Sequence, residues 1–188
     1  MQFLNFVVLT ILDLYIAVLL LRVWMQWARC DFYNPFAQFI VKITQPIVHP
    51  LRRVIPSIGP IDTASVVLAY PLVLIKIMLP IWIAAGQAIM PTAIVFLLGV
   101  IELLTAAGKL VFWLVIARAL LSWISQGRNP VDYVLLQLTE PLMAPIRRIL
   151  PSMGGLDFSA MIVILILYAL NALRYDVIGW LVSMFVIS

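Results

Sequence analysis

Long apolar segments constrain the fold of this chain more than any other feature. A helix needs about 20 apolar residues to cross the roughly 30 Å hydrocarbon core of a bilayer. Four stretches approach or exceed that length, at residues 3–24, 64–86, 92–124 and 157–173. With 65% hydrophobic residues and a mean hydropathy of +1.14, the chain is too apolar for a soluble domain. No stretch alternates as barrel strands would. We therefore predict an all-α membrane protein with four transmembrane helices.

The basic residues between these segments predict the orientation in the membrane. Lysine and arginine concentrate on the cytoplasmic side of membrane proteins. Here they concentrate at the ends of the first and third segments and in the loops that follow, whereas residues 86–101 carry no charge. The two groups are Arg22, Arg29, Lys42, Arg52 and Arg53, and Arg118, Arg128, Arg147 and Arg148. We expect both basic loops to lie in the cytoplasm and both termini on the opposite side of the membrane.

Two alternative topologies fit the sequence less well. The first segment has no basic n-region and no small-residue cleavage site, so we expect a retained span and not a removed signal peptide. Splitting residues 92–124 into two spans would give five spans in all. The second basic loop would then lie outside the cell, against the positive-inside rule.

The chain contains an internal duplication. Aligned without a gap, residues 34–62 and 129–157 are identical at 11 of 29 positions. Upstream, with one residue deleted, Arg22 aligns with Arg118. Each repeat has two spans joined by a basic loop, so both repeats should share one orientation, related by an axis along the membrane normal. The predicted repeats are residues 1–90 and 91–188.

The duplicated motif resembles a known family. It reads Asn-Pro, then Thr-x-Pro, then Pro-x-Arg-Arg-x-x-Pro-Ser-x-Gly-x-x-Asp, and it lies between two spans in both copies. This pattern is similar to that of the YggT family of small bacterial integral inner-membrane proteins, also called YlmG. The resemblance implies a link to osmotic or extracytoplasmic stress tolerance, and plastid and cyanobacterial relatives are linked to cytochrome maturation or nucleoid distribution. It also implies a location in the bacterial inner membrane, which would place both termini in the periplasm. It implies no catalytic residues.

Each basic loop is predicted to begin with a short helix. Asn caps free backbone amides and Pro is tolerated at the first helical position, so Asn34-Pro35 and Asn129-Pro130 suit helix starts. The residues that follow are mostly apolar, which favours a position at the membrane interface or beneath the spans. Prolines further along should break or restart the helix. These are Pro46, Pro50, Pro141 and Pro145.

The arginine pairs in the loops are candidate binding residues. Basic side chains near anionic headgroups contribute about 1 kcal/mol each, and an arginine fork can also bind a partner carboxylate. The aspartate that ends each motif should cap the next span, although an Arg–Asp bridge within the loop is a competing use. We favour a structural or lipid-anchoring role over a soluble-ligand site. The candidate residues are Arg52, Arg53, Asp62, Arg147, Arg148 and Asp157.

Polar side chains inside the spans form a second group of candidates. Asp13 and Lys76 reach similar depths near the bilayer centre, so we predict that they pair. The equivalent positions in the second repeat are Lys109 and Asn171, and Glu102 lies nearby. These residues are expected mainly to hold helices together, and an ion or proton pathway is the alternative.

Proline placement bears on that alternative, because broken helices often line transport sites. Pro71 and Pro80 should kink the second span. Their counterparts in the second repeat, Ile166 and Tyr175, are not prolines. The symmetry expected of a repeat-built transporter is therefore missing.

The sequence offers no motif for catalysis. It lacks a phosphate-binding Gly-Lys-Ser/Thr loop, a His-Glu-x-x-His motif and a dinucleotide fingerprint, and Cys30 and His49 are single residues of their types. We expect no enzyme activity, cofactor or metal. The expected function is a scaffold or assembly factor that contacts anionic lipid and a membrane-protein partner or a further copy of itself, with no nucleic-acid partner. An ion or solute channel is the alternative.

Overall fold

The computed structural model describes residues 2–125, 130–149 and 158–187. Six helices account for most of this part of the chain, and it contains no β-strand beyond a single isolated bridge between Ile58 and Ile61. The helices are α1 Gln2–Trp27, α2 Pro35–Arg52, α3 Thr63–Ala85, α4 Ala93–Ser125, α5 Pro130–Ile149 and α6 Phe158–Ile187. The order of long, shorter and long helix thus occurs twice.

Four helices, α1, α3, α4 and α6, are long and apolar enough to cross a membrane. The prediction of four spans is confirmed. The five-span alternative is wrong, because α4 runs as one helix from Ala93 to Ser125. The predicted end of the fourth span near Leu173 is also wrong, since α6 continues to Ile187. The added segment is mostly apolar, and its one basic residue, Arg174, pairs with an acidic side chain of α4.

The loop helices α2 and α5 both continue past the prolines that were expected to break them, and the start of α2 agrees with the prediction. Asn34 caps α2 as predicted, with its Oδ1 accepting a hydrogen bond from the Phe36 amide at 2.9 Å, and Pro35 is the first helical residue. The capping residue predicted for α5, Asn129, lies outside the described residues. The predicted breaks are wrong, because both helices pass through their prolines.

The position of the prolines explains why α2 continues. Its buried residues, Ala37, Ile40, Thr44 and Val48, lie on one face of the helix. Pro46 and Pro50 lie on the exposed side. The carbonyl groups that lose an amide partner therefore face outward, where they are free to bind water, while packing of the buried face holds the helix together.

The core lies where the loop helices meet the spans. Helix α1 packs against α2, α3 and α4, and α4 packs against α5 and α6 as well. One buried cluster joins Met25 of α1, Ala37 of α2, Leu114 of α4 and Leu138 of α5. The Trp24 indole donates a hydrogen bond to the Leu138 carbonyl at 2.9 Å. These contacts join the two halves of the chain at the end of the molecule that carries the basic loops.

The packing of α3 against α4 depends on a glycine. A Cβ atom at Gly99 would lie 2.6 Å from Cδ2 of Leu74 and 3.2 Å from the Tyr70 ring. The absence of a side chain therefore lets the two spans approach closely, as small residues commonly do between membrane helices.

Candidate functional site

Two groups of polar side chains are buried or half-buried among the helices. The first, called here the Asp62 cluster, lies where α1 and α2 end and α3 begins. It consists of Arg22, Thr44, Arg52, Asp62 and Ser65. The second, called here the mid-span row, takes one charged residue from each of the four spans. It consists of Asp13, Lys76, Glu102 and Arg174.

Asp62 is the centre of the first cluster and is fully buried, at 0% exposed. The Arg22 Nε donates to its Oδ2 at 3.0 Å. From the other side, Arg52 donates through Nη2 to Oδ2 at 2.7 Å and through Nε to Oδ1 at 3.2 Å. The Ser65 hydroxyl donates to the same Oδ2 at 2.8 Å. One carboxylate thus joins the end of α1, the end of α2 and the start of α3.

Thr44 extends the cluster into α2. Its Oγ1 accepts a hydrogen bond from Arg22 Nη1 at 2.5 Å and donates to the Ile40 carbonyl at 2.8 Å. Arg22 is 6% exposed, so its guanidinium needs these acceptors to offset the loss of water. The Thr44 hydroxyl therefore fixes the position of Arg22, and Arg22 binds Asp62.

The predicted capping role of Asp62 is wrong in its mechanism. Asp62 does stand at the N-cap position of α3, but its side chain makes no capping hydrogen bond. Its two oxygens are occupied by the arginines and Ser65. The competing prediction, a bridge between loop arginine and loop aspartate, is confirmed for Arg52 and Asp62.

Charge and hydrogen bonding together keep Asp62 ionised. Burial alone would raise its pKa, but the hydrogen bonds from Arg52 and Ser65 and the charges of Arg52 and Arg22 outweigh burial and hold the pKa below its usual value. Both arginines are cations and Asp62 is one anion, so the cluster keeps one excess positive charge.

The two arginines of the first pair have different surroundings. Arg52 binds Asp62 and also donates to Gln26 Oε1 at 3.1 Å. Arg53 is exposed, and its guanidinium forms no ion pair within the described ranges. The pair therefore contains one arginine that holds the fold and one that is free to contact ligands.

The second half of the chain has a similar arrangement of arginines. Arg118 Nη1 donates to Thr139 Oγ1 at 2.6 Å, which matches the bond between Arg22 and Thr44. Arg147, the first of the second pair, lies 3.2 Å from Glu140 Oε1, and Arg148 is exposed. The predicted site residue Asp157 lies outside the described residues.

The mid-span row confirms one predicted pair and extends it. Lys76 Nζ lies 2.5 Å from Asp13 Oδ1 and 2.8 Å from Glu102 Oε1. Arg174 Nη1 lies 3.6 Å from Glu102 Oε2. The row therefore runs from α1 through α3 and α4 to α6, with acidic and basic residues alternating. Its two anions balance its two cations.

Lys109 and Asn171 do not join this row. Both are exposed and line a groove of about 640 Å³ between α4 and α6, here called the α4–α6 groove. Lys109 forms no ion pair with any residue that the structure describes. The equivalence of these positions to Asp13 and Lys76 in the sequence is thus not reproduced as a contact.

Sequence reasoning missed several members of both groups. Arg22 carried a signal, since it aligns with Arg118 in the repeat, but nothing nearby in the sequence indicated that it reaches Asp62 across 40 positions. Arg174 was treated as lying beyond the end of its span. Thr44 is one of the duplicated residues, and it was assigned no contact.

The described residues contain little that suggests a cofactor site. Among them, no group of three or more His, Cys, Asp or Glu side chains could hold a metal ion. Cys30 is buried and donates from Sγ to Gln137 Oε1 at 3.2 Å. Burial raises the pKa of its thiol, which disfavours the thiolate that metal binding requires.

Comparison with known proteins identifies the family. The sequence profile described as CCB3/YggT matches residues 1–83 and 97–186. The chain belongs to the CCB3/YggT family. This finding confirms the resemblance seen in the duplicated motif.

Several bacterial relatives are similar over nearly their whole length. The chain is 53% identical over 171 residues to the uncharacterized protein YggT of Escherichia coli K12, covering 91% of this chain and 88% of that one. It is 51% identical over 179 residues to an uncharacterized Vibrio alginolyticus protein encoded in the proC 3′ region, covering 95% and 97%. A Pseudomonas aeruginosa protein, PA0392, is 38% identical over 175 residues, covering 89% and 86%. No solved structure matches. Family and helices together describe a multi-pass membrane protein.

Proposed function

We propose that this protein is a non-enzymatic scaffold or assembly factor of the bacterial inner membrane. One observation carries the proposal: Asp62 and the mid-span row hold helices together through ion pairs, while Arg53 and Arg148 remain exposed. Side chains used in this way stabilise a fixed shape. The two exposed arginines are left to contact lipid or a partner, and the family resemblance connects that role with osmotic or extracytoplasmic stress.

We further propose that residues 1–90 and 91–188 are repeats of the same orientation, with both basic loops in the cytoplasm. The matching arginine–threonine bonds of the two halves support this arrangement, and the positive-inside rule supports the orientation. A reporter fused at Gln45 should give a cytoplasmic signal. A periplasmic signal there would contradict the topology.

The proposed ligand of Arg53 and Arg148 is an anionic lipid headgroup. An arginine near the membrane surface gains about 1 kcal/mol from anionic lipid, and its planar fork suits a phosphate group. The excess positive charge of the Asp62 cluster adds to the same local field. Binding to a partner's carboxylates would use the same chemistry and is separated from lipid binding by experiment.

The test compares lipid retention by the purified protein in nanodiscs of mixed phosphatidylglycerol and phosphatidylcholine. Arg53→Gln combined with Arg148→Gln should reduce the retained phosphatidylglycerol, as measured by native mass spectrometry. Lys42→Gln is the control, because Lys42 is also an exposed loop cation. An equal loss in the control would show only a general effect of charge. Unchanged retention in the double variant would exclude lipid as the ligand.

Cells provide the test of the stress role. A strain lacking the gene should grow poorly after an osmotic shift, and the unaltered protein should restore growth. The double arginine variant should fail to do so while remaining in the membrane at normal abundance. Cross-linking followed by pull-down would then identify any membrane-protein partner, and capture that survives the double variant would exclude the arginines as its contact.

An ion or solute conduit is the second candidate, because the mid-span row crosses all four spans. Charged residues inside a membrane bundle often mark ion pathways. Its test is flux into liposomes that contain the purified protein. The scaffold function predicts no flux above protein-free liposomes, whereas a flux removed by Asp13→Asn or Lys76→Met would support the conduit and overturn the scaffold.

A further inference from the structure

No described helix covers one face of the second half of the bundle. Helix α4 packs against both α1 and α3, so the first half is covered on that side. Helix α6 packs against α4 and α5, with no comparable packing against α1 or α3 in the described part of the chain. In the sequence duplication α4 is equivalent to α1 and α6 is equivalent to α3. The surface that α4 covers in the first half is therefore open in the second half, as the α4–α6 groove.

The α4–α6 groove is apolar except for a few side chains, among them Lys109, a cation that pairs with no residue in the part of the chain that the structure describes. Its lining includes Thr105, Gly108 and Phe112 of α4 and Leu167 of α6. Lys109 lies midway along α4, so it is about 15 Å from either surface of the hydrocarbon core. An ammonium group without a counter-charge at that depth is costly. The groove therefore favours an occupant that brings a carboxylate to the middle of the membrane.

Helix α1 presents such a carboxylate on its outer face. Asp13 contacts Lys76 through Oδ1, yet its side chain is 53% exposed. Phe6 and Thr10, which lie along the same side of α1, are also exposed. This side of α1 is here called the α1 ridge.

The acid and the free lysine lie at the same depth. Asp13 is nine positions before Arg22, and Lys109 is nine positions before Arg118, along helices that both end at the basic loops. Each of these arginines donates to a threonine of its loop helix. Since both helices rise about 1.5 Å per residue, the two charges meet if two copies of the chain stand side by side in one membrane.

We propose that the α1 ridge of a second copy of this chain occupies the α4–α6 groove, with its Asp13 facing Lys109. The contact joins two different surfaces, so repetition of it closes into a ring or continues as an array. It does not depend on lipid binding by Arg53 and Arg148, and the two are tested separately.

Cysteine cross-linking in the membrane tests this contact. Two tagged populations of the full chain, both carrying Cys30→Ser, are co-expressed, one with Thr10→Cys on the α1 ridge and one with Thr105→Cys in the groove. Oxidation should link the two populations. In the control pair, Thr105→Cys is replaced by Ile75→Cys, an exposed position on α3. Links between ridge cysteines alone, or equal linking in the control, would overturn the proposal.

Charge reversal tests the pairing of Asp13 with Lys109. Lys109→Glu in the groove population should reduce the mixed cross-link several-fold, because it faces an acid. Lys109 has no described ion pair within its own chain, so folding should be unaffected. Adding Asp13→Asn to the ridge population should restore much of the cross-link, because it removes the repulsion while Lys76 keeps its contact with Glu102. If neither substitution changes the yield of the mixed cross-link, Asp13 and Lys109 do not face each other.

A groove-filling variant protects the test against misfolding of the charge variants. A Cβ atom at Gly108 would lie 3.8 Å from Leu167 Cδ2, which is ordinary contact. Gly108→Leu should fill the groove and abolish the cross-link, whereas Gly108→Ala should largely retain it. If the unaltered protein is monomeric in nanodiscs and retains an anionic amphiphile that Lys109→Glu releases, a lipid and not a second copy occupies the groove.

Discussion

The Asp62 cluster and the mid-span row contain the same kinds of side chain, but they differ in burial and in charge balance. Asp62 is 0% exposed and is bound by two arginines. In the row, Asp13 is 53% exposed and is bound by one lysine. A fully desolvated anion between two cations has a structural role that nothing else nearby can fulfil. A half-exposed anion at the end of a row can still accept another partner.

The largest expected effect comes from neutralising Asp62. Asp62→Asn leaves two guanidinium groups at the junction of three helices without an anion. Removing one partner of a buried ion pair costs about 3–5 kcal/mol. The free energy of unfolding in mixed micelles should fall by that amount. Asp31→Asn is the control, since Asp31 is exposed and its Oδ1 accepts from the Tyr33 amide, a bond that asparagine can keep. An equal loss of unfolding free energy in both variants would show that the ion pairs of Asp62 do not have the predicted structural role.

The next largest effect compares the two adjacent arginines, of which Arg52 is proposed to stabilise the fold and Arg53 to contact a ligand. Arg52→Gln removes charge-assisted hydrogen bonds to Asp62 and should cost about 1.5–3 kcal/mol of unfolding free energy. Arg53→Gln should change it by less than about 0.5 kcal/mol, because its side chain is exposed and makes no ion pair among the described residues. Thermal unfolding of both variants in the same detergent measures the difference. Similar values for the two would remove the distinction.

Neutralising the row should have a smaller effect than neutralising the cluster. Glu102→Gln weakens the contacts with Lys76 and Arg174, but Asp13 still pairs with Lys76, and Arg174 still lies over the Tyr175 ring at 4.5 Å. Polar contacts between membrane helices average well below 2 kcal/mol, so we expect a loss of about 1 kcal/mol. A loss as large as that of Asp62→Asn would place the main ionic support of the bundle in the row.

The smallest effect concerns pH. The pKa of Asp62 is lowered in the folded protein, so its stabilising contribution is complete above the unfolded pKa of about 3.9 and declines as pH falls through the folded pKa. The stability advantage of the unaltered protein over Asp62→Asn should therefore be constant from pH 5 to 8. It should shrink by a few tenths of a kcal/mol near pH 4. An advantage that grows on acidification would contradict the lowered pKa.

The parts of the fold that were predictable from sequence rest on local chemistry. Hydropathy and span length identified all four membrane helices, and Asn34 with Pro35 identified the start of α2. The predicted proline breaks were wrong, because packing of the buried face of α2 keeps that helix continuous. The predicted end of the fourth span was wrong because the charge of Arg174 is compensated by Glu102 on α4, so the helix continues past it.

The candidate sites divide in the same way. The pairing of Asp13 with Lys76 followed from depth along two neighbouring spans, which sequence supplies through a fixed rise per residue. The addition of Glu102 and Arg174 depended on how the spans rotate about their axes. For Asp62 the sequence suggested either a capping bond, which is absent, or a bridge to a loop arginine, which Arg52 forms. The contact with Arg22 was not predicted, because that residue lies 40 positions away on another helix.

The sequence by itself determined the four spans, the basic loops, the duplicated motif and the family. These properties depend on composition and on repetition along the chain, and each can be read within one segment. Only the tertiary structure decided that Arg52 binds Asp62 while Arg53 forms no ion pair among the described residues, that one carboxylate joins three helices, and that a groove beside α6 holds a lysine without an ion pair to any described residue. Those features depend on helix rotation and packing, which are set by contacts between segments distant in sequence.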